Sequence, residues 1–137
     1  VITTGNNVFA QPALTGATAR VNGTVNGVAV DLNQFNNQFK DVLFVVAIGT
    51  ITDGNHVLSI EESDVSGSGY AAVDASRVQG TAPTLTSANS NTVAQVGARP
   101  TKRYVRLVST ITGTTTGGVY MAVAVCGNGN AHPVLRS

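Results

Sequence analysis

The amino-acid sequence predicts an all-β domain: an antiparallel β-sandwich or jelly-roll-like fold with an extended N-terminal arm. Three observations carry that expectation. Thr, Val, Ala, Gly and Asn dominate the chain, and the β-branched Thr and Val favour a pleated surface. Apolar and polar residues alternate in short runs, with no sustained helical period. Gly and Asn punctuate those runs at turn spacing, which suits a sandwich of about eight short strands.

Residues 1–16 have no clear period, and Gly5, Asn6, Asn7 and Pro12 interrupt them. They are expected to form the arm, with residues 17–137 as the single domain. Residues 17–32 alternate in pieces around Asn22-Gly23 and Asn26-Gly27, both strong turn dipeptides. Val28, Val30 and Leu32 share one face of a half-buried strand. Residues 33–38 read as a polar loop with Phe35 as a plug. The run from Val42 to Ile48 is continuously apolar and predicts a strand buried on both faces. The turn at Asp53-Gly54 predicts a hairpin with the next strand, where His56, Leu58 and Ile60 alternate against Val57, Ser59 and Glu61.

Residues 63–69 read as a loop, Tyr70 to Val73 as a short strand, and 79–91 as a long surface connection. Thr92 to Val96 is a further strand. The last third predicts a second hairpin. Tyr104, Arg106, Val108 and Thr110 share one face of its first strand; Arg103, Val105, Leu107, Ser109 and Ile111 share the other. After a turn of Thr and Gly, the return strand puts Met121, Val123 and Val125 on one face and Tyr120, Ala122, Ala124 and Cys126 on the other.

Charged residues are 11% of the chain, against about 25% in average globular proteins. So few charges protect a free monomer poorly and suit a chain that works inside an assembly. A net charge of +1 argues against nucleic acid as a partner. The longest apolar run falls well short of the about 20 residues of a membrane span. The start, Val1 to Thr4, lacks the basic and apolar regions of a secretory signal, and a leading Val implies a removed Met or a cut precursor. A lone cysteine, Cys126, allows no internal disulfide and reads as a small buried hydrophobe.

No residue set points to catalysis, a metal or a cofactor. Glu61 and Glu62 point to opposite faces of one strand, and Asp53 and Asp64 add no calcium-loop spacing. His56 and His132 have no metal-ligand spacing with Cys126 or a carboxylate, and His56 reads as a polar surface residue. The nucleophile elbow is absent, since Gly67-Ser68-Gly69 is only a flexible loop. Arg99, Lys102, Arg103 and Arg106 form one basic cluster, suited to pairing with acids on a neighbouring strand or subunit.

The stretch Val45 to His56, followed by Ile60 to Asp64, resembles a motif of small head proteins of tailed bacteriophages. Val96-Gly97, Lys102 to Arg106, Thr114 to Tyr120 and His132-Pro133 extend the resemblance over roughly residues 28–134. Where many such proteins have an aromatic after Val-Gly, this chain has Ala98-Arg99-Pro100. The resemblance implies a capsid decoration, or cement, protein. Such a protein sits on the outer surface of the virion head, commonly as a homotrimer, and bridges subunits of the major capsid protein. Contact residues are then expected on the arm (Val8, Phe9, Leu14), the hairpin tip (Asp53, Asn55, His56) and the basic strand (Arg99, Arg103, Arg106). The alternative is a receptor- or carbohydrate-binding module of a tail or fibre. No Trp and 5% aromatics count against it, because sugar sites use aromatic platforms. A small hydrolase or isomerase on a β-scaffold lacks a convergent set of His, Cys and carboxylate.

Overall fold

A computed structural model describes residues 4–16, 18–34 and 37–130. Phe35, His132 and Pro133 therefore lie outside the described residues. The described residues open with one helical turn, α1 (Thr4–Asn7), and then run through thirteen strands. These are β1 (Phe9–Leu14), β2 (Gly23–Asn26), β3 (Val30–Asp31), β4 (Asn33–Gln34), β5 (Asn37–Gln38), β6 (Asp41–Ile51) and β7 (Asn55–Ser63). There follow β8 (Ala71–Ala72), β9 (Val78–Gln79), β10 (Thr84–Leu85), β11 (Val93–Ala98), β12 (Tyr104–Thr112) and β13 (Gly118–Gly127).

Two antiparallel sheets form the body. The first has the order β1-β13-β6-β11-β9 and the second β10-β7-β12-β2. This is the expected all-β sandwich, and its strand order is that of a jelly roll: consecutive long strands fall in opposite sheets. Between the sheets lies one core. Phe44, Val46 and Val96 come from the first sheet; Leu58, Leu85, Val105, Leu107 and Ile111 come from the second.

Both expected hairpins are instead arches that cross from sheet to sheet. β6 pairs with β13 and β11, whereas β7 pairs with β12. The physical reason lies where the two arches meet. The Asp53 carboxylate accepts backbone N–H bonds from Thr115 at 3.0 Å, Thr116 at 3.2 Å and Gly117 at 2.7 Å. Thr52 N–H donates to the Gly117 carbonyl at 2.9 Å. Gly54 (φ +89°) and Gly117 (φ +91°) both need the left-handed region. A Cβ at Gly117 would lie 2.1 Å from the Arg20 carbonyl oxygen. Each arch thus satisfies the other's backbone, and neither strand pair closes on itself.

The arm expectation also changes. Residues 9–14 form an edge strand of the first sheet, paired with β13, and Ala13 and Leu14 are buried. Apolar residues at Phe9, Ala13 and Leu14 explain why: Phe9 stacks on Phe39 at 6.2 Å, and Leu14 enters the core. The expected surface connection at 79–91 likewise contributes Leu85 to the core.

His56 is not a surface residue. It is 0% exposed. Its Nε2 faces the Asp53 carbonyl at 3.2 Å, and its Nδ1 faces the Tyr120 hydroxyl at 3.0 Å. A carbonyl can only accept, so in the neutral ring Nε2 carries the proton and Nδ1 accepts from Tyr120. The Ser109 hydroxyl, 2.6 Å from Tyr120 Oη, then donates to it. This buried chain of polar groups joins β7, β13 and β12 across the sandwich.

Two outcomes are expected. Tyr120→Phe leaves the His56 ring and the Ser109 hydroxyl each short of a partner and should cost about 1–3 kcal/mol in urea unfolding. The Gly117 and Thr115 N–H bonds hold the Asp53 carboxyl below its ordinary pKa, against the small opposing effect of burial. A lowered folded pKa contributes stability above the unfolded value and loses it as pH falls through the folded one. Asp53→Asn should therefore be less stable than the parent at pH 7, with the gap narrowing toward about pH 3, read from urea midpoints.

Candidate interaction face

The outer faces of the two sheets differ sharply. On the second sheet, outward positions carry Ser59, Glu61, Arg106 and Thr110 beside Val57 and Val108, a mixed face with charges on it. On the first sheet they are apolar. β6 buries Val42, Phe44, Val46 and Ile48 while turning Leu43, Val45 and Ala47 outward. The run expected to be buried on both faces is thus buried on one.

Register aligns these residues with others of the same kind. Leu43 is opposite Val125, and Val125 opposite Ala10. Val45 is opposite Val123 and Gln95, and Val123 opposite Pro12. Ala47 lies between Met121 and Val93. Exposure reaches 37% at Leu43, 44% at Val123, 46% at Met121 and 62% at Val93. No side chain in these three rows is charged, and Gln95 alone is polar. Four strands at about 4.8 Å and five residues at about 3.4 Å make a face of about 19 Å by 17 Å, on the order of 300 Å². A patch of this size matches the largest apolar patch of a typical monomer, which is often functional.

One edge of the face is indented. β1 shifts register between Pro12 and Leu14. Beside that bulge lies a groove of about 270 Å³, bounded by Pro12, Leu14, Val45, Ala47, Met121 and Val123. At the other edge, Gln79 covers Gly97, where a Cβ would lie 2.9 Å from its Oε1.

The contact residues expected from sequence do not come together on one surface. Leu14 and His56 are core residues, buried by the edge strand and the arch crossing, and Leu14 also borders the groove. Val8 and Phe9 are half-buried at the start of β1. Asp53 locks the arches, and Asn55 is exposed at the start of β7. Arg99 is exposed just after β11. Arg103 grips Asp31 with two 2.9 Å bonds, and Arg106 donates to Glu61 at 2.7 Å while lying over the Tyr70 ring. Two of the four residues of the basic cluster, Arg103 and Arg106, thus pair with acids on neighbouring strands. Exposed pairs of this kind add little stability.

The remaining acids separate as their alternation requires. The buried carboxylate of Glu62 accepts from Thr101 Oγ1 at 2.9 Å and faces Arg77 at 3.4 Å, on the side opposite Glu61. Among the described residues, no three His, Cys, Asp or Glu side chains are grouped to hold a metal ion. Burial pushes the Cys126 thiol up to about 12, against a weak contact from Gln11, so it stays protonated and packs as a small apolar group.

Sequence reasoning missed the outer face of the first sheet as a site. Its signal was present in the apolar run 42–48 and in the shared face of Met121, Val123 and Val125. Compared with protein families, curated proteins and solved structures, the chain finds no match.

Proposed function

We propose that this chain is a capsid decoration protein: it binds the outside of a tailed-phage head and stabilises contacts between major capsid protein subunits. The observation that carries this reading is the uncharged apolar face of the first sheet, which stays exposed among the described residues. A sheet that is apolar on both faces belongs in an assembly. The resemblance of residues 28–134 to small phage head proteins supplies the kind of assembly.

Cement action needs contact area and repetition rather than reactive groups. Covering on the order of 300 Å² contributes roughly 7 kcal/mol at about 25 cal/mol per Å². Association costs about 4–15 kcal/mol in lost translational and rotational freedom. One such contact is marginal alone. Copies held together on a repeating shell make the later contacts effectively intramolecular, and those persist. The polar ends of the sandwich, with Asn55 and Arg99 exposed, suit the wet rim of such a contact.

Purified chain should co-sediment with expanded heads that lack it. Binding should saturate at a fixed ratio to the major capsid protein and raise the temperature at which the heads rupture. Failure to co-sediment at any concentration overturns the reading.

A further inference from the structure

We propose that the end of the sandwich opposite the arches carries a binding site for a carboxylate, with the ammonium groups of Lys40 and Lys102 as its cations. This site shares no residue with the apolar groove of the first sheet and stands independently of the capsid reading.

Strand direction brings its residues together. β6 and β12 both run toward the arches, and β7 runs away from them. The residues just before β6 and β12 and just after β7 therefore meet at the far end. Lys40 precedes β6, Lys102 and Arg103 precede β12, and Asp64 follows β7. All four line a hollow of about 320 Å³. Leu32, Phe39 and Pro100 give it an apolar wall. Backbone bonds tie that wall to the basic segment. Phe39 N–H donates to the Leu32 carbonyl at 2.8 Å, and Leu32 N–H donates to the Arg103 carbonyl at 3.0 Å.

Charge selects the ligand. Arg103 is neutralised by Asp31 through two 2.9 Å bonds. Lys40 donates to Asn130 Oδ1 at 2.6 Å, an uncharged partner. Lys102 is half-buried and, among the described residues, has no hydrogen bond or ion pair. Asp64 is exposed and forms an ion pair with neither lysine. Two ammonium groups against one carboxylate leave the hollow one positive charge. An ammonium drawn partly out of water without a counter-ion costs free energy, and a charged acceptor offsets that cost. A carboxylate brings one negative charge on a carbon stem, and the apolar wall suits the stem. A phosphate dianion brings one charge too many and nothing to cover that wall.

The test is a titration of the intact chain with sodium propionate at constant ionic strength, followed by amide NMR shifts. The amides of Phe39 and of residues 101–103 should shift together and saturate in the millimolar range. Lys102→Gln should weaken binding about tenfold or more, the loss of one bond between charged groups. Lys102→Arg keeps the charge and should restore most of the affinity. Asp64→Asn removes the opposing charge and should tighten binding. An absence of saturable shifts overturns the inference. So does a folded Lys102→Gln protein that binds like the parent, or sodium phosphate that binds more tightly than propionate. Given propionate binding, co-sedimentation with heads separates two sources of the carboxylate. Weaker co-sedimentation of Lys102→Gln assigns it to an acidic side chain of the shell, and unchanged co-sedimentation assigns it to a free carboxylic acid. Propionate binding by a chain that does not bind heads at all leaves the site standing and removes the capsid reading alone.

Discussion

An antiparallel sheet in water normally keeps one apolar face for the core and one polar face for solvent. The first sheet of this chain has apolar side chains on both. Phe44, Val46 and Val96 fill the sandwich from its inner side, while Leu43, Val45, Met121 and Val123 stand on its outer side. Bare, those outer residues hold water at a free-energy cost. Covered, they contribute several kcal/mol per copy on the usual area scale. The fold, the low charge and the functional reading all answer to that one imbalance.

The sandwich keeps the face flat and in register without using it. Its stability is supplied elsewhere: by the core between the sheets, by the Asp53 carboxylate binding the opposite arch, and by the His56–Tyr120–Ser109 chain through the interior. Because the long strands cross between sheets, β6 and β13 lie side by side in the first sheet although 66 residues separate the end of β6 at Ile51 from the start of β13 at Gly118, Asp41↔Gly127 being one terminal pair of the register. That pairing lines Leu43, Val45 and Ala47 up with Val125, Val123 and Met121. A face built on the central strands of a sheet is rigid, and rigidity limits the entropy lost on contact.

Much of the architecture was legible in the sequence. Alternation placed the inner and outer residues of β12 and β13 correctly, and the strand character of residues 42–48, 56–62 and 92–96 was plain from β-branched runs bounded by turns. Connectivity was not. A tight turn between alternating strands reads alike whether the strands pair or cross to opposite sheets; the difference is made by Asp53 reaching residues 115–117, more than sixty positions away. His56 shared a face with Leu58 and Ile60, and that face is the core, so its alternation was a better guide than its polarity. The arm was misjudged because Pro12 masked a strand whose proline sits at a sheet edge, where no ladder bond is lost. The outer face went unread because an apolar run reads as buried on both sides, and alternation alone does not show which side the sandwich leaves exposed.

Met121 offers the most direct check, because it is the single methionine of the chain and stands exposed on the face. Peroxide converts an accessible thioether to the sulfoxide, and mass spectrometry counts the product. Head-bound protein should oxidise at Met121 many times more slowly than the free protein at the same peroxide concentration. Equal rates in the two states would mean that binding leaves the face bare, contradicting the account.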